Sequence, residues 1–565
     1  MRGLNLLVFR GDRRRVCGYT LKAALIEQLR LLCGDNSREQ LIGALLRVGE
    51  LECGLADADG AAHSAELLTD QIADALLQVE RWSGCPESDF QASNSYSANF
   101  QNISFPTLLN AAQGFTAIEQ LSIATSEGFA YYALHPLAYA DVLDQVSGSE
   151  APLLIVGIRS IGTTLSAVMV AAARRQGIKV DRLTVRPQGH PYNRTAEFCA
   201  RQLAAIDQYA SLGATFVVVD EGPGLSGSSF LAVAEALEQA GAPLRKIMLV
   251  SSHAPNIETL CAADAARRWQ RFRCVAVSGE ARRPSQAVDF TGGGKWRSRA
   301  FSSESEWPAI WTSFERPKYL SSTEHENPRL YKFAGLGHYG GEVCERELKV
   351  SAAGFGPMPR QESDGFVSYP CIDGRPLAAR NLSSPILARM ADYCAFRLRT
   401  FHVELAELNA LQQMAKHNLR ELGLDSPIEL RLEHAVIADG GMQPHEWLVT
   451  KEGRLLKTDS GGHGDDHFFP GPTDIAWDLA GAIVEWGLNE QQVREFIDLY
   501  RCASCDDPSA RIDGFIRAYA VFRAAYCLMA ANAMRGSDEE ARLRGAAEEY
   551  QETVKKMESR SLSAA

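Results

Sequence analysis

The sequence predicts an α/β chain: a parallel sheet covered by helices, followed by a second unit of α+β type. Two observations carry that expectation. Between Pro152 and Val250, short apolar, β-branched runs alternate with helical stretches, the pattern of strands buried on both faces. That pattern then breaks in an Arg-, Ser-, Gly- and Pro-rich stretch over 281–328, which reads as a linker, and a different one starts near Arg329. With 565 residues the chain exceeds one ordinary core and divides into two or three domains.

In chain order, residues 1–125 hold helical stretches such as Thr20–Cys33 and Ala65–Trp82, then a Ser- and Asn-rich loop over Ser88–Asn102. The reading here is a mainly helical cap or scaffold. The central unit spans 126–280. Its first strand is Leu153-Leu154-Ile155-Val156, ending at Gly157. The helix Thr163–Arg175 follows, stopped by Gly177, then a strand over Val180–Val185 and a helix over Thr195–Tyr209. Thr215–Val219 is the next strand, followed by a helix over Ser228–Gln239 and a strand over Lys246–Val250. Ligands of such sheets bind beyond the carboxyl ends of the strands. The last unit spans 329–565.

Composition excludes some classes. Apolar residues make up 46% and charged residues 23%, normal for a globular protein, and the net charge is −12 without a long basic run. Nucleic acid, which demands a cationic footprint, is therefore not an expected partner. The N-terminal apolar stretch is too short for a signal peptide and no run is long enough for a membrane span, so the expectation is a cytoplasmic protein without a membrane partner. The 13 cysteines are scattered; Cys502 and Cys505 form the one close pair and lack the second pair or the histidines of a zinc site.

The most informative stretch is Phe216-Val217-Val218-Val219-Asp220-Glu221-Gly222-Pro223-Gly224-Leu225-Ser226-Gly227-Ser228-Ser229. A buried strand delivers two acids to its carboxyl end, and a turn of small and hydroxyl residues leads into a helix. Backbone N–H groups of such a turn make an anion site, and the acids can accept from vicinal sugar hydroxyls. Together they describe a seat for ribose 5-phosphate.

The stretch resembles the phosphoribosyl-pyrophosphate signature of type I phosphoribosyltransferases, with one extra residue before Gly227. The resemblance implies that Asp220 and Glu221 face the ribose hydroxyls and that Ser226, Gly227, Ser228 and Ser229 hold the 5-phosphate. Val156–Thr163 is similar to that family's pyrophosphate loop, which implies Arg159 and Ser160 at the leaving group. Arg186–Arg194 resembles its mobile catalytic loop, with Arg186, His190 and Arg194 as candidates to cover the pyrophosphate. The aromatics of Glu127–Pro136 either form a hood over the acceptor or pack between domains.

In the last unit, Gly365–Leu377 is similar to the hinge of aminoglycoside phosphotransferase-like kinases, and Thr473–Ala480 resembles their Asp-x-Ala-Trp-Asp-Leu-Ala helix. That resemblance implies Lys332 as the ATP-contacting lysine, Glu347 (or Glu345) as its partner, Asp439 as the catalytic base, and Asp459 as a metal ligand. The chain departs from the pattern at three places. Ile437 replaces the expected His, His445 stands one residue late where an Asn metal ligand belongs, and the glycines Gly335, Gly337, Gly340 and Gly341 follow Lys332 rather than precede it. His463, Asp465, Asp466 and His467 are either metal ligands or a solvated loop.

The leading expectation is an enzyme that transfers or cleaves a ribose phosphate at an N-glycosidic centre. Its partners are phosphoribosyl diphosphate or a ribose-phosphate nucleotide and a small-molecule acceptor, and its catalytic residues are Asp220, Glu221 and Arg159. The alternatives are an ATP-dependent small-molecule kinase acting through the C-terminal unit and a nucleotide-binding regulator without turnover. Mg²⁺ and ATP are the cofactors these readings imply.

Overall fold

The computed structural model describes residues 4–8, 13–32, 37–58, 62–84, 105–146, 151–277, 283–321, 328–404, 408–424, 427–463, 468 and 471–564. The expected loop over Ser88–Asn102 and the candidates Asp465, Asp466 and His467 lie outside the described residues.

The chain opens with β1 (Arg13–Cys17), α1 (Gly18–Arg30), α2 (Ser37–Ala58), α3 (His63–Gly84), α4 (Phe105–Gly114) and β2 (Gln120–Ala124), with β1 and β2 paired antiparallel. Two short helices, α5 (Glu127–Ala130) and α6 (Leu143–Val146), lead into the central unit. That unit comprises β3 (Leu153–Ile158), α7 (Ile161–Arg175), β4 (Val180–Val185), a hairpin of β5 (Gln188–His190) and β6 (Asn193–Thr195), α8 (Ala200–Ser211), β7 (Thr215–Val219), α9 (Ser228–Gln239), β8 (Ile247–Ser251), α10 (Ala265–Trp269) and β9 (Arg273–Ala276).

The central sheet is parallel, in the order β4-β3-β7-β8-β9. Strand side chains alternate between faces, and here both faces are apolar. Leu153, Ile155, Val217 and Val219 join the core shared with α7, α2 and α3. Leu154, Val156, Phe216 and Val218 join the core under α8 and α9. The order reverses between β3 and β7, and the crevice outside the carboxyl ends of those two strands is where such sheets bind ligands.

The N-terminal helices are not a detached cap. Arg182 of β4, with its side chain 1% exposed, donates to Glu52 at 2.7 and 2.9 Å and pairs with Asp70, linking the sheet to α2 and α3. Removing one member of a buried ion cluster leaves the others uncompensated, at about 3–5 kcal/mol. Arg182→Met is thus expected to lower unfolding stability by that order in urea titrations; a loss under 1 kcal/mol would mean the helices and sheet are not one folding unit.

The remaining elements are β10 (Ala287–Phe290), α11 (Arg297–Ala300), β11 (Lys318–Ser321), β12 (Arg329–Phe333), α12 (His338–Ala352), β13 (Arg360–Gln361), β14 (Phe366–Pro370), β15 (Gly374–Pro376), α13 (Ser384–Thr400), α14 (Leu408–Glu421), β16 (Ala435–Ile437), β17 (Trp447–Thr450), β18 (Leu455–Lys457), β19 (Pro472–Asp474), α15 (Ala476–Glu485), α16 (Glu490–Ser504), α17 (Ile512–Ala533) and α18 (Asp538–Ala564). An antiparallel sheet of order β10-β11-β12-β14-β13 stands over a largely helical part that encloses a second large core.

Two sequence expectations need correction here. The stretch 281–328, read as a linker, supplies β10 and β11 to this sheet, and the connection between those strands folds against the helical part. The reason it looked like a linker is its polarity and its Gly292–Gly294 turn; the two strands it contains are only four residues each. Nor is the boundary at 125 a clean one. Leu6 and Val8 are buried in the C-terminal core, and Asn418 of α14 exchanges hydrogen bonds with the backbone of Leu7 at 2.9 and 2.7 Å. Further contacts tie the halves together: Arg38 to Asp364 at 2.7 Å, Tyr339 Oη to Glu50 at 2.6 Å, and Leu336 N–H to Phe129 O at 2.9 Å. Cys502 and Cys505 are exposed free thiols, and among the described residues no helix is long and apolar enough to cross a membrane.

Candidate functional sites

The first site lies at the crevice where the parallel sheet reverses. Asp220 and Glu221 leave the end of β7 there, half-buried. Loss of hydration pushes the Asp220 carboxyl up to about 7 and the Glu221 carboxyl up to about 8, the latter helped by the nearby charge of Glu127. Glu221 Oε2 accepts from Gly128 N–H at 2.8 Å, so the segment read as a hood touches the acid pair through its backbone. Its aromatics turn the other way: Tyr131 lies under Arg316 and Tyr132 against Phe314, both from the C-terminal half. Of the two alternatives for this segment, packing accounts for the rings.

The loop after β3 is strained. Ser160 has φ 134°, a region non-glycine residues rarely adopt, and such strain concentrates at ligand sites. Gly162 follows, and a Cβ there would stand 2.5 Å from Val219 O, so only glycine lets α7 start this close to β7. Arg159 does not point into open solvent. It donates to Asp57 Oδ1 and Ala56 O, each at 3.1 Å, while Arg186 grips Asp57 Oδ2 at 2.7 Å. Arg186 and Arg194 line a cleft with Asp57, Gln188 and Gly189, and both are near enough to Asp220 to favour its ionised form.

Gly227, at φ 69°, precedes α9, and the loop hydroxyls are already engaged. Ser226 Oγ donates to Pro191 O at 2.8 Å and Ser228 Oγ donates to the same carbonyl, so the tip of the β5–β6 hairpin lies on the loop assigned to phosphate. The structure thus places Arg186 and Arg194 near Asp220 and sets Ser226 and Ser228 against the hairpin that carries Arg194, while Arg159 is bonded to Asp57 and Ala56. Asp57, the carboxylate shared by the arginines, carried no recognisable signal because it lies within a long, otherwise structural helix.

The second site is a cleft of about 210 Å³ between β11–β12 and the loops around β16–β18. Lys332 pairs with Asp459 there, and Lys318 lies 4.0 Å from Asp459 and 2.8 Å from Glu315. Asp459 has φ 58°, a left-handed backbone that turns its carboxylate back toward the cleft. Asp439 is fully buried beneath the cleft. Gly441 N–H donates to its Oδ1 at 3.0 Å and Tyr393 donates to its Oδ2, while Gly440 and Gly441 form the cleft floor. Asp478 of α15 holds that turn, accepting from Asp439 N–H at 2.8 Å and from Gly440 N–H at 3.0 Å. Burial raises the Asp478 carboxyl to about 6.

Three carry-overs change at this site. Glu347 accepts from Ser460 Oγ at 2.9 Å and Gly461 N–H at 2.6 Å, bracing the Asp459 loop; Lys332 takes Asp459 as its ion-pair partner. Glu345 pairs with Lys349 on the exposed face of α12 and has no part in the cleft. His445, read as a metal ligand, stacks on Trp296, and burial holds its imidazole down at about 4. The next residue, Glu446, lines the same cleft, with Oε1 3.9 Å from His463 Nδ1 and Oε2 2.8 Å from Lys457.

A search of protein families finds none that matches, and no curated relative matches. Solved structures do match in part. A choline kinase from Streptococcus pneumoniae has 15% identity and covers 43% of this chain and 90% of its own, at a TM-score of 0.28. A macrolide 2′-phosphotransferase from Brachybacterium faecium has 14% identity and covers 41% and 88%, at 0.28. An aminoglycoside phosphotransferase from Alicyclobacillus acidocaldarius has 12% identity and covers 43% and 90%, at 0.30. Matches at these identities and TM-scores carry no argument about activity, which has to be argued from the sites themselves.

Proposed function

We propose that the C-terminal cleft performs ATP-dependent phosphotransfer to a small molecule. The observation that carries this reading is the convergence of Lys332, Lys318, Asp459 and the Asp439–Gly441 turn on one cleft. Phosphoryl transfer needs positioning and charge compensation more than covalent chemistry from the protein. In this reading Lys332 leaves Asp459 for the phosphates of ATP. Asp459 would then be the residue to hold Mg²⁺, since hard divalent cations favour carboxylate oxygens. The ion supplies charge neutralisation at the phosphates. Asp439, with both oxygens already bonded, fixes the cleft floor; the reading does not depend on it as a base.

The test is a calorimetric titration with ATP and Mg²⁺. Wild type is expected to bind, and Lys332→Met is expected to weaken binding by roughly 10–100-fold, the worth of a charge-assisted hydrogen bond of about 1.5–3 kcal/mol. Failure of the wild type to bind ATP would end this reading.

The crevice of the parallel sheet favours a second activity: binding of a ribose phosphate or phosphoribosyl diphosphate. Supporting it are the two acids with raised protonation, the strained Ser160 turn, and a hydroxyl loop at the start of α9 under a hairpin carrying Arg194. Transfer there would break the bond from the anomeric carbon to pyrophosphate as a bond to the acceptor forms. Asp220 and Glu221 orient the ribose, and Arg186 and Arg194 compensate the leaving charge.

A further inference from the structure

Lys457 ends β18 opposite Trp447, and its side chain is fully buried. A lysine in that position is tolerated only when its charge is answered by close partners. Its ammonium lies 2.8 Å from Glu446 Oε2, 3.3 Å from Asp439 Oδ1 and 2.8 Å from Thr458 O. An ammonium has three donors, and here three acceptors meet them.

Asp439, Glu446 and His463 place one ligand atom each within 4.8 Å of one another, a donor set suited to a divalent cation. Lys457, however, already bridges two of those three groups. A divalent ion between the same carboxylates would come within a few ångströms of a fixed like charge in a low-dielectric interior, where repulsion is strong. Lys457 also has no route out: it is buried and held by Thr458 O, whereas Lys332 lines the open cleft.

We infer that Lys457 is a fixed internal cation that stands in place of a metal ion between Asp439 and Glu446. It is a positioning residue: together with Arg397, 3.6 Å from Asp439 Oδ2, it balances the two acids beneath the cleft floor, and it leaves Asp459 as the carboxylate available to an ion brought in with the nucleotide. The inference rests on the phosphotransfer reading for its purpose, but it is measured without nucleotide.

The experiment is a count of tightly bound Mn²⁺ on the full chain by electron paramagnetic resonance, in the absence of ATP. Lys457→Gln is expected to bind one more ion per chain than wild type, and Mn²⁺ is expected to raise the Tm of the variant more than that of wild type. Equal counts in two folded proteins would overturn the inference. If Lys457→Gln does not fold, Glu446→Gln in the otherwise natural chain decides: the Mn²⁺ count is expected to stay unchanged, because Glu446 already serves Lys457, and loss of one ion would overturn the inference. Absence of ATP binding, measured separately, would remove the phosphotransfer reading while leaving these counts interpretable.

Discussion

Replacing Asp220 by Asn and Glu221 by Gln together is expected to remove ribose-phosphate binding and to stabilise the fold above pH 8. The binding loss follows from the hydrogen bonds that anionic carboxylates make to sugar hydroxyls. At about 1.5–3 kcal/mol each, the pair accounts for roughly 10²–10⁴-fold in affinity. The stability gain follows from their raised protonation. The folded chain holds these protons up to about pH 7 and about pH 8, whereas an unfolded Asp or Glu releases them near pH 4. Between those limits the folded state binds more protons, so wild-type stability falls as pH rises through that window. Neutral amides have no such term. The variant should match wild type near pH 4.5 and exceed it at pH 8.5. Urea titrations at the two pH values, with calorimetry using ribose 5-phosphate and phosphoribosyl diphosphate, check both halves. Unchanged affinity in a folded variant would remove the assigned site. Binding to wild type should also strengthen between pH 7 and 8.5, since the ligand's own phosphate is already ionised there.

The parallel unit was legible because its local signals agree with its tertiary role. Leu153–Val156 and Phe216–Val219 are apolar at every position, as strands covered on both faces must be, and Gly177 marks where α7 stops, whereas β3 runs through Gly157 to Ile158. The acid pair and hydroxyl loop were legible for the same reason: they occupy one unbroken stretch. What stayed hidden depends on contacts between distant segments. Asp57 meets Arg159 and Arg186 only because α2 packs beside the parallel sheet, and Lys457 meets Glu446 only through the pairing of β17 with β18. Residues 281–328 were misread because short strands with a bulge between Ala287 and Asp289 leave almost no period-two pattern to detect. That Glu446 meets Lys457 is set by the register of β17 on β18, which a sequence does not display.

The sharpest separation of the two sites comes from Asp459→Asn. In the phosphotransfer reading Asp459 has two roles in sequence. In the free chain it holds Lys332, and with nucleotide present it would hold the metal ion. An asparagine keeps the shape but gives up the charge in both roles. Loss of the ion's charge compensation is expected to cut ATP-dependent product formation by roughly 10³-fold or more. Metal-free ATP should meanwhile bind as well as before or better, because Lys332 no longer has a competing carboxylate. That split between rate and binding distinguishes a metal ligand from a residue that merely braces the loop, whose removal would weaken both. Binding at Asp220 and Glu221 is expected to stay within about twofold, since those acids end a different sheet. One route could carry an effect between them. Gly128 touches Glu221, Tyr131 lies under Arg316, and Arg316 donates to Gly462 O at 3.3 Å, three residues beyond Asp459. If a folded Asp459→Asn variant loses ribose-phosphate binding, the two crevices act as one coupled unit through that segment, and their division into separate sites is wrong.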